Sequence, residues 1–175
     1  ILIGVTSFFR NPDAFEALKS TVFPRLTEGR TRLDGIRIWC LGCSTGQEAY
    51  SLAIAFAEFA ESVGTSASLQ VFATDLSNDS VEVARAGVYP RDIEQDVSPE
   101  RLRRFFVDVD GKYRISKSIR QTCIFSRHNV VSDPPFSRLD LISCRNLLIY
   151  MGRELQKKVI PLFHYALNST GILFL

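Results

Sequence analysis

The chain has 175 residues, 46% of them apolar and 23% charged, with a formal net charge of +2 from 21 basic and 19 acidic side chains. This is the arithmetic of one domain with a core of its own. It excludes disordered tails and collagen-like chains, and no apolar run approaches the roughly 20 residues of a bilayer span. The small charge excess argues against a dedicated nucleic-acid face. The opening residues lack the basic and small-residue marks of a secretory leader, so a cytoplasmic protein with no membrane insertion is expected.

Asn11-Pro12 reads as a helix start, with Asn as cap and Pro in the first turn. The helix should run to about Glu28, with Phe15, Leu18, Val22 and Leu26 on one stripe. The apolar run 36–41 is a buried strand, and Trp39 on it is core. A turn at 42–46 leads into a helix over 47–62, and a second strand follows at 69–74. Ser77 caps the next helix, which stops near Gly87. Ser98-Pro99-Glu100 opens another, carrying Arg101, Arg103 and Arg104, read either as a solvated face or as a docking patch for an acidic partner.

Asp110-Gly111 marks a hairpin turn, and 122–125 is a further strand candidate. Together, residues 106–126 read as a small antiparallel hairpin subdomain at the sheet's edge. A third strong strand spans 139–144, a helix 152–167 follows, and the chain closes on an apolar strand after Gly171. Strands alternating with helices give an α/β fold with a parallel sheet covered on both faces. Beginning on Ile1 and ending inside an apolar strand, the sequence reads as an excerpt of a longer protein. Cys40 and Cys43 form a CxxC, but Cys123, Cys144 and the two histidines stand at no metal-ligand spacing from it. Reduced thiols and no metal are therefore expected.

In open parallel sheets ligands bind outside the carboxyl ends of the strands. Those ends are Gly42-Cys43-Ser44-Thr45-Gly46-Gln47-Glu48, Thr74-Asp75 and Cys144-Arg145-Asn146. The glycine turn is either a tight connection or a place where backbone meets a ligand. Asp75, an acid on the neighbouring strand, can accept both hydroxyls of a ribose. Nicotinamide dehydrogenases and S-adenosylmethionine methyltransferases share that arrangement. The turn separates them: it reads GxxxG rather than GxGxxG, and Glu48 in the first helical turn repels a pyrophosphate but attracts an ammonium group.

Thr6-Ser7-Phe8-Phe9-Arg10, CSTGQEAYS, ATDLS, RAGVY, HNV and SCRNLLIY, in that order over nearly the whole chain, resemble the chemotaxis receptor methyltransferases, the CheR family. Residues 124–150 look most like the domain found in fused methylesterase–methyltransferase proteins. The resemblance implies a Rossmann-like class I methyltransferase domain over residues 1–175, without the family's N-terminal helical domain and last strands. It implies S-adenosylmethionine as methyl donor, S-adenosylhomocysteine as product, and glutamate side chains of chemoreceptor cytoplasmic regions as acceptors. Other domains of a larger signalling protein are further implied partners.

On this resemblance Thr6 and Arg10 lie near the methionine end and the methyl group. Glu48 holds the ammonium and Asp75 the ribose, while Asn129 and Val130 are on the adenine side. Cys144 and Arg145 run along the cofactor, and Tyr150 sits by the methyl, so Arg10 and Tyr150 are the catalytic pair. Gln47 and Gly4 depart from the family's commoner Asp or Glu and Asn. The short loop at Asp110-Gly111 is similar to members that do not depend on a receptor-tail peptide.

Apart from the motifs, Phe9 and Tyr150 read as core aromatics, and Arg145 as either a ligand contact or a salt bridge. Two rivals remain. Asp133-Pro134-Pro135-Phe136 resembles the DPPY tetrapeptide of adenine-specific DNA methyltransferases but precedes its strand instead of following it. A non-catalytic cofactor-binding docking module is the alternative from a different class.

Overall fold

In the computed structural model, which describes residues 6–175, Asn11 opens α1 (Pro12–Ala17); Gly4 lies outside the described residues. The expected single helix to Glu28 is interrupted. A π-turn over Leu18–Val22 separates α1 from α2 (Phe23–Thr27), and the Phe23 N–H reaches the Leu18 carbonyl five residues back. The reason is Pro24, which has no N–H and whose ring crowds the carbonyl one turn earlier, so the helix widens instead of breaking. Asn11 does not cap by its side chain; its backbone is left-handed (φ 58°) and its amide oxygen is used elsewhere.

β1 (Ile36–Leu41) leads through the glycine turn into α3 (Gln47–Val63), then β2 (Leu69–Asp75) and α4 (Asn78–Ala86). Ser77 caps α4 by accepting the Ser80 N–H at 3.2 Å, and Gly87 ends it in a left-handed conformation. β3 (Val88–Tyr89), a 3₁₀ turn over Arg91–Gln95, and α5 (Pro99–Phe105) follow, with Ser98 accepting the Arg101 N–H. β4 (Phe106–Val109) and β5 (Lys112–Ile115) form the hairpin. Its Asp110-Gly111 turn has positive φ at both residues, as a two-residue hairpin turn requires. After α6 (Lys117–Arg120) come β6 (Cys123–Arg127), β7 (Leu139–Ser143), a 3₁₀ turn over Leu148–Tyr150, α7 (Arg153–Ala166) and β8 (Leu167–Phe174).

The main sheet runs β6-β2-β1-β7-β8, parallel throughout. The expected subdomain over 106–126 is therefore divided differently. β6 joins the main sheet beside β2, and the small antiparallel sheet is β3-β5-β4, recruiting Val88–Tyr89 from much earlier in the chain. An apolar strand of five residues can sit in either sheet by local preference; burial against α3 and α4 decides.

β1 shows how the layers form. Ile36, Ile38 and Cys40 belong to the larger core cluster with the first helices and α3, while Trp39 and Leu41 belong to the second cluster with Val159, Phe163 and Ala166 of α7. Strand alternation thus divides one buried run between two faces. β8 carries an irregularity opposite Leu139–Leu141. Gly171 is required there, because a Cβ on it would lie 2.9–3.0 Å from the Leu167 side chain and two carbonyl oxygens. Strand order reverses between β1 and β7, and the cleft at their carboxyl ends is the place such sheets offer a ligand.

Candidate active site

A cavity of about 500 Å³ opens there, lined by the ends of β1 and β2, the residues after β7, and Thr6, Ser7 and Arg10. The glycine turn forms one wall. Gly42, Ser44 and Gly46 all have positive φ (62°, 48° and 99°), so the chain reverses within five residues. A Cβ on Gly46 would stand 2.9 Å from the Ala84 Cβ and 3.0 Å from the Tyr89 hydroxyl, so only glycine fits. Asp75, closing β2, fixes this turn. Its Oδ2 accepts the Ser44 N–H at 2.8 Å and its Oδ1 accepts the Ser77 N–H at 2.9 Å.

Glu48 enters from the first turn of α3. Its carboxylate accepts the Ser143 hydroxyl at 3.1 Å and both of its oxygens lie 3.2 Å from Arg145 Nη1. Burial raises its pKa above the ordinary carboxylate value, while Arg145, Ser143 and the nearby Arg10 charge act against that rise. The side chain of Arg145 is 6% exposed. Its Nη2 donates to the Arg10 carbonyl at 2.7 Å and to Asn11 Oδ1 at 3.0 Å, and its guanidinium lies over the Phe174 ring. Arg145 is thus at once a buried salt bridge and part of the cavity wall.

The segment before α1 is bent to meet it. Phe9 and Asn11 are both left-handed, and the buried Phe9 N–H donates to Ser51 Oγ on α3 at 2.9 Å. Phe9 is core, as its bare residue type suggests. Tyr150 is not: it is 62% exposed and lines the cavity mouth from the 3₁₀ turn after β7.

Of the residues singled out in the sequence, Thr6, Arg10, Glu48, Asp75, Arg145 and Tyr150 meet at this cavity; Asn129, Val130 and Cys144 are not in its lining. Cys144 shares the pleat face of Ile142, so its thiol enters the second core cluster. Its neighbour Ser143 faces the other way and reaches Glu48. Asn129 turns its amide oxygen to the Val131 N–H, and Val130 packs on that second core cluster. Ser7, Ser44, Thr45, Ser77, Ser80 and Asn146 line the cavity without having been singled out. For Ser44 and Thr45 the signal was present, since both sit inside the turn motif.

The other candidates resolve structurally. Arg101 forms a bidentate pair with Glu58 and lies 3.8 Å over Phe9, and Arg104 pairs with Glu61, so the arginine cluster is largely spent within the chain. Phe136 of DPPF stacks on Phe72 and meets Trp39 edge-on, as filler of the second face. All four thiols are free and buried; burial pushes those of Cys43, Cys123 and Cys144 up to about 12. Among the described residues no cluster of metal-ligating side chains occurs, and no helix is long and apolar enough to cross a membrane.

The cavity suits the cofactor expected from the sequence. A carboxylate has about four acceptor positions; backbone donors use two on Asp75, leaving two for a diol. The Glu48 carboxylate beside the Arg145 guanidinium, with Arg10 also in the lining, offers both an anion and a cation to the ammonium and carboxylate of an amino-acid end.

Residues 4–175 match the family model described as CheR methyltransferase, SAM binding domain. A 104.1 kDa protein encoded in the hypE 3′ region of Rhodobacter capsulatus is 44% identical over 175 residues, which is 100% of this chain and 18% of that protein. Chemotaxis protein methyltransferase 1 of Pseudomonas aeruginosa is 37% identical over 177 residues, covering 97% of this chain and 64% of the relative. The chain therefore spans less than two thirds of either. The apo S-adenosylmethionine-dependent methyltransferase SibL superposes with a TM-score of 0.54 at 14% identity, over 93% of this chain and 35% of that one, a likeness of fold.

Proposed function

The chain belongs to the CheR methyltransferase family, a family of S-adenosylmethionine-binding domains, and on that premise we propose that it esterifies glutamate side chains of chemoreceptor cytoplasmic regions. The observation that carries the reading is the meeting of two acids, Glu48 and Asp75, with Arg10 and Tyr150 at one cavity on the strand ends. When bound, S-adenosylmethionine supplies an electrophilic methyl group on a sulfonium centre, whose transfer to a carboxylate cancels both charges.

The protein's own task is then positioning. A glutamate is already ionised at neutral pH, so no general base is needed. Glu48 takes the ammonium end and Asp75 the ribose hydroxyls, which fixes where the methyl lies. Arg10 presents a guanidinium fork to the acceptor carboxylate, matching its two oxygens. Tyr150, at the mouth, donates a hydrogen bond that aims one oxygen inward. Such alignment, with water kept out, is the main source of rate in a reaction of this kind.

The test is calorimetric titration of S-adenosylhomocysteine into the chain, with Asp75→Ala as control, followed by methyl transfer to receptor cytoplasmic fragments scored as alkali-labile methyl ester. Arg10→Ala and Tyr150→Phe should lose transfer by about 100-fold or more, as removal of a transition-state contact does, while cofactor affinity falls less. Normal turnover in both variants would falsify the catalytic assignment. Cofactor binding with no ester formed on any receptor fragment would leave the docking-module reading in its place.

A further inference from the structure

Tyr89 lies outside the cavity, yet it touches what holds two of the cavity's walls. Its ring is buried in the small sheet and meets Phe8 edge-on at 4.9 Å, in the segment whose neighbours Ser7 and Arg10 line the cavity. Its hydroxyl donates to the Thr45 carbonyl at 2.6 Å, in the glycine turn that also lines the cavity. The turn needs such a tether. Ser44 and Gly46 on either side of Thr45 are both left-handed, so the peptide units between them are held in a conformation most residues avoid. Asp75 fastens the turn at the Ser44 N–H, and the Tyr89 hydroxyl fastens it one residue later at a carbonyl. The two bonds fix successive residues of the loop. Burial pushes the Tyr89 phenol far above its ordinary value, so it stays a donor over the working pH range.

We propose that Tyr89 is a positioning residue for the cofactor. The small sheet, through this phenol, braces the glycine turn in its ligand-ready shape and keeps the Phe8–Arg10 segment facing it. The proposal rests on the cofactor reading above and extends it to a residue that touches no ligand.

The molecule contains its own control. Thr122, just before β6, donates a hydroxyl hydrogen bond of similar length, 2.7 Å, to the Ile119 carbonyl, and neither residue lies in the cavity lining. Tyr89→Phe and Thr122→Val each remove one hydroxyl–carbonyl bond. Both should lower the melting temperature by a similar amount. Only Tyr89→Phe should weaken S-adenosylhomocysteine binding by calorimetry, by about three- to tenfold, the range of one lost hydrogen bond. Hydrogen exchange of the Ser44 and Gly46 amides should quicken in Tyr89→Phe alone, and it reports the turn without any ligand present.

An affinity for Tyr89→Phe within twofold of the parent, or an equal loss in both variants, would overturn the proposal, the latter showing only a loosened core. If the parent itself binds no S-adenosylhomocysteine, the cofactor reading falls and this one with it. If the parent binds and the variants differ as stated but no receptor glutamate is methylated, the acceptor assignment alone fails.

Discussion

Glu48 is the residue at which chemistry and environment pull hardest against each other. Burial disfavours its charged form, and only Arg145, Ser143 and Arg10 keep the carboxylate ionised for an ammonium partner. The sign of its pH dependence follows. With its pKa raised, protonation begins at a pH above the ordinary carboxylate range, and each protonated carboxyl loses its attraction for the ligand's ammonium. S-adenosylhomocysteine affinity should therefore fall as pH is lowered from 7 towards 5. Arg145→Ala removes the strongest opposing influence, so its inflection should move towards neutrality. Calorimetric titration across this pH range in parent and variant checks both statements, and a flat profile in the parent would remove Glu48 from the ammonium role.

At the scale of elements, the end of the sheet opposite the cavity is tied by one buried acid. Asp140, at the start of β7, accepts from the Arg30 guanidinium at 2.5 and 3.2 Å, from the Arg37 N–H of β1 at 2.9 Å, and from the Asn168 amide of β8 at 2.9 Å. One carboxylate thus links three adjacent strands and the loop before β1. Removing it costs the half-buried Arg30 guanidinium its carboxylate, though it keeps the Gly35 carbonyl, and leaves the Arg37 N–H and the Asn168 amide without this acceptor, a change that typically costs about 1–3 kcal/mol. Asp140→Ala should lose that much in denaturant unfolding, and Asp140→Asn somewhat less because it keeps two acceptor lone pairs but not the charge. Asp140 does not lie in the cavity lining, so either variant, if it remains folded, should bind cofactor nearly as the parent does. Loss of binding in a fully folded Asp140→Asn chain would show that strand ends 15 Å or so apart, about five residues of strand, are coupled.

For the molecule as a whole, the four buried thiols report on opening. Since the nucleophile is the thiolate, thiols pushed up to about 12 are inert at pH 8 while the chain stays folded. A disulfide-exchange reagent should label the native protein only slowly, through opening, and all four cysteines at once after unfolding. Saturating S-adenosylhomocysteine should slow native labelling, because a ligand at 100 times its dissociation constant stabilises the folded state by about 2.7 kcal/mol. Labelling unaffected by ligand would show that the thiols are exposed by local openings remote from the cavity.

The sequence by itself determined the alternation of strands and helices, the caps at Ser77 and Ser98, the Asp110-Gly111 hairpin, and the acids Asp75 at a strand end and Glu48 in the first turn of a helix. These depend on spacing within a few residues, where turn chemistry, capping and hydrophobic period act directly. Tertiary structure decided the rest. It sent β6 to the main sheet rather than the hairpin, turned Cys144 inward and Ser143 towards Glu48, and directed the Asn11 side chain to Arg145 instead of its own helix. It also brought Tyr89 under Thr45, 44 residues away. Each of these outcomes is a choice between partners of nearly equal local merit. Such choices are settled by which surfaces become buried together, and no short stretch of the chain contains that information.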